Sequence, residues 1–119
     1  YGLQACVLAA RLAEKVILDG VYNAIKDAEG FRAECEQALE FGFDGKTLIH
    51  PGQVDPCNEV FAPGEGEIAS SREIIAAFEE AAAEGRGVVT VNGRMIENLH
   101  VDNARRVLAL ADAIAAQTD

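Results

Sequence analysis

Apolar residues along this chain fall into two kinds of run, and each kind predicts a different element. Leu3, Cys6, Ala9, Ala10 and Ala13 recur with small side chains at helical spacing, which predicts an opening helix able to approach a neighbour closely. Val16, Ile17 and Leu18 in "KVILDGVY" are instead continuous, the pattern of a strand covered on both faces as in a parallel sheet, with Asp19 and Gly20 at its carboxyl end. Asp27 is placed to cap a second helix in which Ala28, Phe31, Cys35 and Ala38 share a stripe while Glu34, Glu36 and Glu40 face outward. Gly42 ends that helix, and "KTLIH" predicts a second short strand. The stretch from Val16 to Lys46 has the length of one strand-helix-strand crossover, so the two strands should be parallel.

The segment from Gly52 to Gly66 carries Pro56 and Pro63 and is too long for an ordinary connection, so it is expected to be a functional or docking loop. A further helix from about Glu67 to Glu84 should bury Ile68, Ile75, Phe78 and Ala82. "VVTVNGRMI" predicts a hairpin around Asn92-Gly93, and a last helix from Asn98 carries Val101, Ala104, Leu108, Ala111 and Ala115 on one stripe. Two parallel strands with one crossover leave open sheet edges and uncovered apolar faces. The chain is therefore expected either to assemble with other chains or to be the terminal piece of a larger domain.

Charge narrows the partners. Twenty acidic against ten basic residues give a net charge of -10, which repels phosphate backbones and anionic lipid, so neither nucleic acid nor a membrane is expected as a partner. No apolar run reaches the roughly 18 residues of a span, and nothing near Tyr1 reads as an export signal. Cys6, Cys35 and Cys57 lie far apart without a C-x-x-C pair, the pattern of reduced thiols in a cytoplasmic protein rather than of a zinc site or disulfide framework.

The stretches "ILDGVYNAIKDAEG", "GFDGKTLIHPGQV", "NEVFAPGEGEIASS" and "VNGRMIENLHVDNARRVLALA" together resemble the C-terminal part of the HpcH/HpaI aldolase and citrate lyase beta-subunit family, the malyl-CoA lyase-like CoA-ester lyases. The resemblance implies an α/β fold. Residues 1–84 would be the end of a (β/α)8 TIM barrel with its last two parallel strands and helices, and residues 85–119 a C-terminal lid of a short hairpin and a helix. A complete barrel takes about 250 residues, so much of it would lie outside these 119.

The implied activity is cleavage or formation of a carbon–carbon bond in a 3-hydroxyacyl-CoA such as malyl-CoA, through an enolate stabilised by magnesium. The alternatives are a malyl-CoA thioesterase of the same family and a non-catalytic interaction module. Magnesium ligands are expected outside this segment, and none is assigned within it. The implied partners are a CoA thioester, the remainder of the barrel, and further copies of the chain in a homo-oligomer with lid contacts between subunits.

Active sites of such barrels lie at the carboxyl ends of the strands, where Asp19, Ile49, His50 and Pro51 fall as substrate-binding candidates. His50 could equally be a structural histidine that holds the strand exit. A salt bridge is the expected role of Lys46, and helix capping that of Asp27. His100 is expected to be a partly exposed surface residue. In lyase relatives the lid motif resembles Met-Ile-Asp, whose aspartate is the implied acid/base. Here it reads Met95-Ile96-Glu97, so Glu97 is the catalytic candidate, and its additional methylene makes hydrolytic relatives credible.

Overall fold

The computed structural model describes residues 1–117, which form two compact units, one from Tyr1 to Phe61 and the other from Ala62 onward. The first unit runs α1 (Gly2–Leu12), β1 (Leu18–Asp19), α2 (Ala28–Phe41), β2 (Gly45–Lys46), a 3-10 turn (Pro51–Gln53) and α3 (Val54–Phe61). The second runs α4 (Glu65–Ala83), β3 (Val89–Val91), β4 (Arg94–Ile96) and α5 (Asn98–Gln117).

In the first unit β1 and β2 pair in parallel, with Leu18 opposite Gly45 and Asp19 opposite Lys46. The ladder continues through the Asp44 N–H donating to the Ile17 carbonyl (2.9 Å) and the Thr47 N–H donating to that of Asp19 (3.0 Å). "KTLIH" is thus a strand only at its start, and the rest is a bonded exit segment. The apolar run before Asp19 is covered on one face: Ile17 packs against Val7, Ala38 and Phe43, whereas Val16 and Leu18 are 77% and 56% exposed. No element of this unit lies over that second face, which is why the expected burial on both sides is not met within it.

The caps of α2 follow from its sequence. Asp27 Oδ1 accepts from the Gly30 N–H at 3.0 Å, and Oδ2 accepts from the Tyr22 hydroxyl at 2.7 Å. A Cβ at Gly30 would lie 2.1 Å from the Tyr22 hydroxyl oxygen, so glycine is needed there for the cap to close. At the other end Gly42 takes φ +99°. Its N–H reaches the Leu39 carbonyl while the Phe43 N–H reaches that of Ala38, a Schellman closure that turns Phe43 into the core.

The Tyr22 hydroxyl and the Gly30 N–H hold the Asp27 carboxyl below its usual range. A depressed folded-state value means that the cap stabilises fully above the ordinary aspartate value of about 4 and fades as pH falls through the folded value. Asp27→Ala should therefore lower the thermal midpoint at pH 7, and the gap from the unsubstituted protein should close in melts taken progressively below about pH 4.

The expected loop from Gly52 is corrected by α3. Pro56 occupies the first turn of that helix, where no backbone N–H is needed, so proline is compatible with a helix start. Cys57 on α3 packs beside Phe31 and Cys35 of α2, with Tyr22, Leu48 and Val60 around them. Burial pushes the Cys35 thiol up to about 11, so it stays protonated and unreactive.

On α1 the buried residue is Val7 rather than the predicted small-residue stripe, since that helix meets the core through one position. In the second unit Ala81, Val89, Ile96 and Val101 form the core, with Ile74, Ile75 and Phe78 against it. Ala82, expected inside, is exposed, because the buried face of α4 passes through Ser71 and Ala81. On α5 the buried stripe is Val101, Ala104 and Val107, while Leu108 and Ala111 flank it half-buried and Ala115 is exposed. The hairpin turns at Asn92 (φ +50°) and Gly93 (φ +77°), the two positive angles that this tight turn requires.

Candidate functional site

Lys46 is the most enclosed charge of the first unit, its side chain fully buried. Its Nζ donates to Asp19 Oδ2 (2.9 Å) and the Gly20 carbonyl (2.7 Å), and it also bonds the Glu34 carboxylate. Three acceptors thus meet the three ammonium protons. Burial alone would lower the Lys46 pKa, but the hydrogen bonds to Glu34 and Asp19 outweigh it and hold the group above its ordinary value. Lys46 forms the salt bridge expected of it. Glu34, expected to face outward, turns in because this buried ammonium needs a further acceptor.

Parallel pairing puts the exits of β1 and β2 at one edge of the sheet, which brings Asp19 and the segment Ile49–Pro51 to the same end. Asp19 is mostly buried and held by Lys46, while Ile49, His50 and Pro51 are exposed. His50 Nδ1 accepts from the Gly52 N–H at 3.0 Å, capping the 3-10 turn, and Pro51 follows as a first residue that needs no N–H. A neutral ring whose Nδ1 accepts carries its proton on Nε2, so His50 offers a donor outward. The structural and pocket readings of His50 are therefore compatible, one nitrogen serving each.

Glu97 lies in the second unit, exposed, immediately before α5. Its backbone N–H donates to His100 Nδ1 at 2.9 Å, and its carbonyl accepts from the N–H groups of His100 and Val101. This reciprocal cap gives His100 a role that its surface position did not announce, and it leaves the Glu97 carboxylate clear of the helix start. Glu97 borders a surface hollow of about 320 Å³ beside Phe78, Val88 and Met95. Among the described residues no group of three or more His, Cys, Asp or Glu side chains could hold a metal ion.

Two arrangements were not legible beforehand. Arg11 of α1 grips both oxygens of Asp44 at 2.9 and 2.8 Å and the Gly42 carbonyl at 2.6 Å, and Asp44 also accepts from the Ile17 N–H. The fork ties α1 to the sheet across 33 residues of sequence, a distance over which no local spacing signals a pair. Both side chains are partly exposed, so Arg11→Ala should cost about 1 kcal/mol of unfolding free energy in a denaturant titration, decreasing as salt rises. The second is Gln53, buried between the two strand exits.

Residues 1–51 match the profile of the family described as HpcH/HpaI aldolase/citrate lyase. The chain belongs to this family. A (3S)-malyl-CoA thioesterase of Cereibacter sphaeroides is 57% identical over 115 residues, covering 97% of this chain and 40% of that protein. Citrate lyase subunit beta of Leuconostoc mesenteroides is 42% identical over 113 residues, covering 95% of this chain and 37% of that protein. The L-malyl-CoA/beta-methylmalyl-CoA lyase of Cereibacter sphaeroides is 37% identical over 114 residues, covering 95% of this chain and 36% of that protein.

Among solved structures, the protein CitE from Mycobacterium tuberculosis, in complex with magnesium, acetoacetate and coenzyme A, superposes with a TM-score of 0.70 at 28% identity. That likeness covers 92% of this chain and 40% of CitE. The chain thus spans about two fifths of the length of the relatives it matches. Its fold is mixed α/β and rich in helices, and it follows that of CitE over 92% of this chain. No helix among the described residues is long and apolar enough to cross a membrane.

Proposed function

We propose that this chain is the C-terminal part of a cytoplasmic malyl-CoA thioesterase, in which water cleaves the CoA thioester to release malate and coenzyme A. The supporting observation is the graded identity within one family: 57% to (3S)-malyl-CoA thioesterase against 37% to L-malyl-CoA/beta-methylmalyl-CoA lyase. Residues 1–84 supply the last strands and helices of a (β/α)8 barrel, and residues 85–119 supply the lid.

The thioester binds at the strand exits. Asp19, Ile49, His50 and Pro51 border it, and the His50 Nε2–H donates to a substrate oxygen. Water attacks the thioester carbonyl carbon while a Glu97 carboxylate from the lid of a neighbouring copy takes its proton. The carbon–sulfur bond then breaks, and Glu97 returns that proton to the departing thiolate. Magnesium belongs to the proposal only as an ion held by residues outside this chain. Other copies of the chain complete the assembly through lid contacts.

A carbon–carbon lyase is the second reading, favoured by the 42% identity to citrate lyase subunit beta. Incubating the complete protein with (3S)-malyl-CoA separates the two. Free thiol and malate in equal amounts, without glyoxylate, are the expected products. Glyoxylate with acetyl-CoA and no free thiol would overturn the thioesterase in favour of the lyase.

A further inference from the structure

Gln53 is a 3% exposed polar side chain, and both ends of its amide are engaged. Its Oε1 accepts from the Ile49 N–H at 3.1 Å, and its Nε2 donates to the Tyr22 carbonyl at 3.1 Å across 31 residues of sequence. The Gln53 N–H donates to the His50 carbonyl at 3.0 Å. Tyr22 is itself held, since its hydroxyl donates to the Asp27 carboxylate that caps α2. One amide therefore ties the segment leaving β1 to the segment leaving β2, and it closes around Ile49, His50 and Pro51.

We propose that Gln53 is the positioning residue of the thioester site, fixing the Ile49–Pro51 turn against Tyr22 so that the His50 Nε2–H is presented in one place. The inference rests on the reading that this turn borders a CoA-thioester pocket. Few side chains can replace this one. The amide faces an N–H on one side and a carbonyl on the other, which requires an acceptor and a donor on the same planar group. Asparagine is one methylene too short to reach both. An ionised glutamate has no donor and sets a second oxygen against the Tyr22 carbonyl, while methionine takes the side-chain partner away from both backbone groups.

A neutral glutamic acid, by contrast, carries an acceptor and an O–H donor. Burial raises the pKa of such a carboxyl group, so Gln53→Glu should be a pH-dependent copy of glutamine. The test uses the complete protein, with hydrolysis of (3S)-malyl-CoA for KM and kcat and coenzyme A alone as the binding probe. At pH 8, Gln53→Glu and Gln53→Met should each raise KM and the CoA Kd about tenfold, with kcat within about twofold. Toward pH 6 the glutamate variant should recover both constants, and the methionine variant should not.

Lowered thermal midpoints with KM and its pH profile unchanged would reduce Gln53 to a structural strut and overturn the proposal. A fall in kcat with KM unchanged would also overturn it. If the unsubstituted protein does not bind coenzyme A, the pocket reading falls and this inference falls with it. If it binds and both variants bind equally well, the inference alone falls.

Discussion

Glu97→Gln in the complete protein should lower malyl-CoA turnover by about two to four powers of ten while leaving KM within a small factor. Glutamine keeps the shape and hydrogen-bonding reach of the side chain but cannot take a proton from water. The substitution should not disturb the start of α5, because the bond from Glu97 to His100 Nδ1 uses the backbone N–H and not the carboxylate. Loss of turnover with an unchanged melting curve is therefore the expected pair of results, read from steady-state kinetics and calorimetry. Glu97→Asp draws the carboxylate back by about an ångström. If its reach sets which proton is moved, that variant should shift product toward glyoxylate. Unchanged rates in both variants would leave Glu97 as the residue that begins a helix and nothing more.

The second large effect is on stability. Lys46→Met removes a fully buried ammonium and leaves Asp19, itself only 12% exposed, facing Glu34 and the Gly20 carbonyl without a cation. Breaking a buried pair from one side costs about 3 kcal/mol, mostly from the charge left behind, and denaturant unfolding of the complete protein should show a loss of that size. Asp19→Asn combined with Lys46→Met should lose less than the sum of the two single changes, because the second substitution removes what the first leaves stranded. The pH sign follows from the raised Lys46 value. Its contribution should be complete below the unfolded lysine value of about 10 and should disappear as pH rises through the folded one. Strictly additive losses in the double variant would show that the two groups act independently.

Local chemistry made much of this fold legible. Asp27, Gly42 and Asn92-Gly93 each act through their own neighbours in sequence, and all three end or turn elements where their types direct. Parallel pairing was legible too, because a continuous apolar run and a crossover length constrain strand direction together. Pro56 misled, since proline opens a helix as readily as it interrupts one, and only the packing of Cys57 against Phe31 and Cys35 decides between the two.

Long-range polar contacts left no sequence signal. Glu34 looks like any outward glutamate on α2 until the Lys46 ammonium is placed beneath it, and Arg11 gives no hint of Asp44. Within the candidate site, His50 and Pro51 stood out by type, whereas Gln53 did not, because a glutamine in a polar segment is unremarkable until both ends of its amide find backbone partners. Glu97 was marked only by family likeness, and its link to His100 follows from the helix cap.

The hydrolytic reading is tested most directly by letting the complete protein turn over (3S)-malyl-CoA in water enriched in oxygen-18. Attack of water on the thioester carbonyl predicts malate carrying a single labelled oxygen, in the carboxylate that had been bound to sulfur, with one free thiol released per labelled malate. Glyoxylate and acetyl-CoA as the products, with no malate formed and no thiol released, would contradict it.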